Sequence, residues 1–220
     1  MHIPTVMKTS IRAFAATVLA LALLVPQIVG AGAPTDQLKS YVERVLKTAQ
    51  AGRGSASERA TIRKLADELF DWQEMAQRSL GPHWRERSPA ERQEFVPLFA
   101  DLVERGYISK IEQYDGEKIQ YTGDRIEGDQ ATVRTKVITK QGTEIPIDYR
   151  MVLRNSRWKI YDVDIEGVSL VANYRTQFNS VVRRSSYQEL VKRMKSKEQP
   201  AASPPGATKS KEPAASPPTR

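Results

Sequence analysis

Cysteine is absent from all 220 residues. That excludes disulfide staples, thiol nucleophiles, cysteine-built zinc sites and a lipid-bearing N-terminal cysteine in one stroke. Histidine is nearly absent: of the two present, His2 falls in the leader described below and His83 in a Gly-Pro-His-Trp turn. A lone turn histidine without a partner motif is a structural or exposed residue before it is a catalytic one. No glycine-rich phosphate loop follows a strand, and no run of carboxylates has metal-ligand spacing. Neither metal nor cofactor is expected, and the chain is not expected to be an enzyme. The net charge is +8, but basic and acidic residues alternate along the helical stretches, as in Glu43-Arg44, Glu58-Arg59 and Asp67-Glu68. Such alternation is a solvated face and not the footprint of a nucleic-acid binder.

Long apolar runs are also missing, with one exception at the N-terminus. Lys8 and Arg12 precede an apolar stretch from Ala13 to Val25, followed by small residues at Val29-Gly30-Ala31 and Ala31-Gly32-Ala33. The stretch is short for a bilayer span and carries the flanks of a secretory leader. Residues 1–31 are therefore expected to be a signal peptide, cut after Ala31 because cleavage after Ala33 would set Pro34 beyond the scissile bond. Removal takes two positive charges and leaves +6. At the other end, residues 196–220 consist of Pro, Ala, Ser and Lys with few other types, and the hexapeptide P-A-A-S-P-P occurs twice, at Pro200–Pro205 and Pro213–Pro218. With no apolar side chain larger than alanine, that tail is expected to be disordered.

Between these ends, residues 34–195 read as one domain. Thr35 or Asp36 is expected to cap a first helix carrying Leu38, Tyr41, Val42, Val45 and Leu46 at helical spacing. Ser55 with Glu58 forms a capping box for a second, striped by Ile62, Leu65, Ala66, Leu69 and Phe70. Asp71 opens a short third helix that stops at Leu80-Gly81-Pro82. Ser88-Pro89-Ala90-Glu91 is the clearest start of all, opening a helix with Phe95, Leu98, Phe99, Leu102 and Val103 that continues to Tyr114. Pro97 inside it predicts a bend or a late start. From Asp115 the period changes to two. Strands are expected at Lys118–Thr122, Gln130–Lys140, Glu144–Arg154 and Arg157–Ile165, joined by short turns into an antiparallel meander of four. The apolar phase slips between Ile160 and Val163, which predicts a β-bulge near Tyr161-Asp162. Ser169 then caps a helix with Leu170, Tyr174, Phe178, Val181 and Val182, and Ser186 with Glu189 caps a last one. Helices, a curved sheet and closing helices make an α+β layout.

The densest run, R-W-K-I-Y-D-V-D-I-E-G-V-S-L-V-A-N-Y-R-T-Q-F from Arg157 to Phe178, resembles the C-terminal signature of the MlaC or toluene-tolerance family of periplasmic lipid-binding proteins. The resemblance covers about Gln37 to Lys195. Departures from it are Pro97, Ser185-Ser186 where glycine is common, and the repetitive tail. What it implies is an NTF2-like cone with flanking helices, a curved four-stranded sheet and an internal apolar cavity. It further implies a soluble periplasmic carrier of phospholipid, or of a hopanoid-like lipid, working between an inner-membrane ABC transporter complex and an outer-membrane lipoprotein and porin complex. Such carriers maintain outer-membrane lipid asymmetry.

Pattern alone does not separate a filled core from a lined cavity. If there is a cavity, its expected walls are Phe99, Val103, Tyr107 and Ile111 on the helical side, and Val133, Val137, Ile147, Tyr149 and Met151 on the sheet. Val163, Ile165, Leu170 and Tyr174 would line the closing turn. Arg150, Arg154 and Arg175 are the expected head-group cations. The competing reading is an NTF2-like isomerase or hydratase acting on a small hydrophobic substrate, with Asp148, Asp162 or Asp164 as general base inside the cavity. A scaffold working through the proline-rich tail is a third.

Overall fold

Five helix-starting residues legible in the sequence do the work expected of them in the computed structural model, which describes residues 33–52 and 55–197. The expected leader and almost all of the expected tail lie outside the described residues. The side chains of Ser55, Asp71, Ser169 and Ser186 each accept the backbone N–H three residues on, opening α2 (Ala56–Leu69), α3 (Trp72–Leu80), α5 (Leu170–Arg184) and α6 (Tyr187–Lys195). At α4 (Pro89–Glu112) the box is reciprocal: Ser88 Oγ accepts from Glu91 N at 3.2 Å and Glu91 Oε2 accepts from Ser88 N at 2.8 Å. Each such cap satisfies a donor the helix itself cannot.

Other boundaries differ from expectation, for local reasons. Helix α1 (Pro34–Gly52) begins ahead of Thr35, with Pro34 in the first turn, where its missing N–H costs nothing. Thr35 is thereby released, and its hydroxyl donates to Asp124 at 2.5 Å. Helix α4 is continuous through Pro97, which stands exposed, as does Gln93, whose carbonyl loses its helical donor to that proline. The helix ends at Glu112, two residues before Tyr114. A single 3₁₀ turn, Gly81–Trp84, joins α3 to α4.

The sheet has five strands, not four: β1 (Lys118–Glu127), β2 (Gln130–Ile138), β3 (Glu144–Arg154), β4 (Arg157–Ile165) and the two-residue β5 (Val168–Ser169), antiparallel and in sequence order. Strand β1 runs five residues beyond its expected end because Gly123, at φ +136°, absorbs a bulge instead of a turn. Strand β2 stops two residues early. The bulge foreseen on β4 is present: Arg150 pairs with Asp162 and Met151 with Ile160, leaving Tyr161 unmatched. Strand β5 follows a tight turn whose two central residues, Glu166 and Gly167, both have positive φ, the geometry that returns a strand on itself.

Apolar side chains gather in two clusters. One is helical: Met75, Leu80 and Trp84, then Phe95, Phe99 and Leu102 of α4, Tyr174 and Phe178 of α5, and Leu190 and Met194 of α6. Its centre is a ring stack in which Phe99 meets Tyr174 edge-on at 5.5 Å and Phe95 meets Phe178 at 5.7 Å. The other lies on one face of the sheet, where Ala131, Val133, Met151, Trp158, Ile160 and Val163 pack against Leu38 of α1 and Leu69 of α2. Beyond α2 the chain joins the sheet directly, since Phe70 pairs with Ile160 as an isolated parallel bridge and Asp71 N donates to Ile160 O at 2.8 Å.

One carboxylate ties the layers together. Asp162, buried at the bulge, accepts from Arg150 Nη1 at 3.0 Å, Ser169 Oγ at 2.7 Å and Val171 N at 3.1 Å. A carboxylate suits the start of α5, whose unpaired N–H groups carry partial positive charge. Replacing Asp162 by Ala should destabilise the protein by about 2–3 kcal/mol, because the Val171 N–H and the Ser169 hydroxyl lose their buried acceptor. Urea unfolding measures this, with Asp148→Ala, a partly exposed site, expected within about 0.5 kcal/mol of wild type.

Candidate functional site: an apolar cavity between the two clusters

The two clusters do not fuse. Between them lies a cavity of about 550 Å³, bounded by α1, α2, α4, the start of α5 and the apolar face of the sheet. The sheet shows how it arises. On one cross-strand rung Ala131, Met151 and Ile160 are fully buried; two rungs along, Ile147 and Ile165 are only half-buried, and so is the next pair, Val137 and Ile145. The apolar alternation continues past the point where α1 and α2 cover it. The side chains beyond that point face open space.

Helix α4 makes the opposite wall. One of its faces puts Phe95, Phe99 and Leu102 into the helical cluster. The adjoining face presents Ala100, Val103, Glu104, Tyr107, Ile108 and Ile111 to the cavity, a stripe at helical spacing. Leu46, Ile62, Ala66, Phe70 and Trp72 close the side formed by α1, α2, the turn after α2 and the start of α3. Exposed Lys110 and Gln113 mark where the lining reaches solvent.

Of the expected wall residues, Val103, Tyr107, Ile111, Val137, Ile147, Tyr149, Val163, Ile165 and Leu170 line this cavity. Phe99, Val133, Met151 and Tyr174 do not. Phe99 and Tyr174 are held in the ring stack, and Val133 and Met151 sit deeper on the sheet, where nothing is left open. Sequence reasoning missed Leu46, Ile62, Ala66 and Phe70 as walls although they lie in the legible stripes of the first two helices.

None of the three expected head-group arginines reaches the cavity. Arg150 is bound to Asp162 and lies 3.7 Å from Asp164, Arg154 pairs with Asp71 and Glu74, and Arg175 donates to the carbonyl of Arg78. The period-2 alternation is the reason: Arg150 shares a face with Asp148, opposite to the cavity-facing Tyr149. The same alternation removes the candidate bases, since Asp148, Asp162 and Asp164 all lie outside the lining. The carboxylates that do line it have partners. Asp67 accepts from Trp72 Nε1 at 2.9 Å, Glu104 lies 3.1 Å from Arg63, and Glu117 accepts from Asp115 N at 2.8 Å. Among the described residues no group of His, Cys, Asp and Glu could hold a metal, and no helix is long and apolar enough to cross a membrane.

Burial makes the phenols of this region harder to ionise. It pushes the Tyr149 hydroxyl up to about 12, and that of Tyr107, which lines the cavity, further still. Tyr174, behind the wall, is also raised to about 12, with nearby Arg105 acting against the rise.

Comparison with known proteins places this geometry in context. A family model described as "MlaC protein" matches residues 38–196. The intermembrane phospholipid transport system binding protein MlaC of Haemophilus influenzae is 23% identical over 120 residues, covering 52% of this chain and 56% of that protein. The chain thus aligns with a little over half the length of that relative. In three dimensions the fold is similar to that of a phospholipid-binding protein from Ralstonia solanacearum solved in complex with a phospholipid. The TM-score is 0.66 at 24% identity, over 75% of this chain and 96% of the other. The α+β architecture is the same.

The raised phenols make an alkaline prediction. An unfolded tyrosine ionises near about 10, whereas folded Tyr149 and Tyr174 hold their protons to about 12. Above the first value the unfolded chain binds fewer protons than the folded one, so stability that is complete below pH 10 falls as pH rises towards 12. Phenolate absorbance from these residues should therefore appear together with loss of the native circular dichroism, and Tyr149→Phe should flatten the decline in stability.

Proposed function

The chain belongs to the MlaC family, and from that premise we propose that it is a periplasmic carrier that shields the acyl chains of a phospholipid in the cavity between its two apolar clusters. The observation that carries this reading is the half-exposed apolar wall: Val137, Ile145, Ile147 and Ile165 of the sheet facing Tyr107, Ile108 and Ile111 of α4 across empty space. Each methylene moved from water to such a wall gains about 0.8 kcal/mol. An acyl chain crosses an aqueous compartment only if something supplies that surface throughout.

The cavity, about 550 Å³, is within the size range of pockets that take up small apolar ligands, about 300–1,000 Å³. Helices α2 and α4 face each other across the opening through ion pairs, Arg59 with Glu112 at 2.6 Å and Arg63 with Glu104 at 3.1 Å and Asp101 at 3.5 Å. Partly exposed pairs of this kind hold by about 0–1 kcal/mol each, little against the gain from burying a tail. These pairs leave α2 and α4 free to part when a lipid enters.

The remaining parts of the reading rest on the sequence and the family. The leader pattern of residues 1–31 supports export to the periplasm. An inner-membrane ABC transporter complex and an outer-membrane lipoprotein and porin complex are the partners between which lipid passes, in a direction set by their energetics. Catalysis is disfavoured, because the carboxylates of the cavity are engaged and the strand aspartates lie elsewhere.

Ala100, small and on the α4 wall, provides the test. An indole at that position fills the cavity from within, and displacing even two methylenes of a guest costs more than tenfold in affinity. Ala100→Trp should keep the wild-type circular dichroism and lose the lipid that native mass spectrometry finds on wild-type protein purified from the periplasm. Wild-type protein that carries no lipid and takes none from vesicles would end the proposal.

A further inference from the structure

We propose that Lys110 is the head-group contact of this carrier, the counter-ion for the phosphate of a lipid whose tail lies in the cavity; the proposal rests on the carrier reading and names a specificity determinant within it. Two cations line the cavity among the described residues, Arg63 and Lys110. Arg63 is already committed to Glu104 and Asp101 on α4. Lys110 is exposed and is absent from every ion pair and hydrogen bond of the described residues. Of the carboxylates that line the cavity, Glu104 is paired with Arg63, while Glu117 accepts from the Asp115 amide and Asp67 from the Trp72 indole, and none of the three is paired with Lys110.

Position along α4 makes the same point. Val103 is buried, Tyr107 and Ile111 are half-buried, and Lys110 lies between the last two along the chain, on the last turn of the helix, beside exposed Gln113. A tail that fills the space between Val103 and Ile111 brings its polar end out at that turn. Lysine suits this place because its four-carbon stem extends an apolar wall while the ammonium stays in water. As a compact point charge it pairs with phosphate without demanding a fixed head-group shape. The recognised chemistry is thus a phosphate monoanion carried on an amphiphile, with little discrimination among the alcohols esterified to it.

The test compares two lipids with identical tails, phosphatidylglycerol and diacylglycerol, loaded from vesicles onto wild type, Lys110→Glu and Lys110→Arg and read by native mass spectrometry. Lys110→Glu should reduce loading of phosphatidylglycerol roughly fivefold at low ionic strength, less as salt is added, and leave diacylglycerol unchanged. Lys110→Arg should load both as wild type does. Inorganic phosphate at matched ionic strength should not compete, because one exposed lysine holds the anion only when the tail anchors it. Equal loading of phosphatidylglycerol by wild type and Lys110→Glu would overturn the assignment while leaving the carrier reading intact. So would an equal loss of both lipids, which would place Lys110 in tail binding or folding, and so would competition by inorganic phosphate, which would indicate a free-anion site. Failure of wild type to load either lipid would instead remove the carrier reading itself.

Discussion

The contacts of Asp162 set the spacing of everything around them. Strand β4 carries an unmatched residue at Tyr161, and the carboxylate beside it reaches the first turn of α5 through Ser169 and Val171. Helix α5 must then leave the sheet at that point. It takes Tyr174 and Phe178 away with it into the ring stack against Phe95 and Phe99. The helical cluster is thereby completed by α5 and α6 and not by the sheet. A chain with the same apolar content but no such fixed corner could collapse the helices onto the strands and fill its interior, as close-packed cores ordinarily do.

With the corner fixed, sheet and helices each close one end of their apolar surface and leave the other uncovered. On the sheet the uncovered end lies towards Val137 and Ile145; on α4 it runs from Val103 to Ile111. Helices α1 and α2 cover Met151 and Ile160 fully but stop short of the far rungs. The chamber is therefore a product of lengths and crossing points. It owes nothing to an unusual residue type: apart from exposed Lys110, its charged members have partners, and its tyrosines are neutral phenols.

This explains which features could be read from the sequence. Caps at Ser55, Asp71, Ser88, Ser169 and Ser186 are local, since each is decided by three or four neighbouring residues. So is the phase slip that marks the β4 bulge. Strand β5 and the continuation of β1 through Gly123 were illegible because both depend on a neighbouring strand supplying hydrogen bonds to residues that read as turns. The walls were legible to the extent that periodicity assigns a face. Val103, Tyr107 and Ile111 follow Phe99 at four-residue steps, each turned about 40° further round α4, and pattern carries no information on which of them meets a packed neighbour. The arginines failed as cavity residues for a similar reason. Alternation puts Arg150 on the face of β3 away from the cavity, and the lining reaches solvent near the end of α4 instead.

The half-exposed inner wall gives the empty protein a standing deficit. Side chains such as Ile147 and Ile165 give up part of the burial their type would gain in a solid core, and on the carrier reading a hydrocarbon guest returns it. The folded state is then coupled to occupancy by mass action. A melting curve recorded on this protein reports, in part, what its preparation has left inside it. Two samples of identical sequence drawn from different membranes need not share a transition temperature.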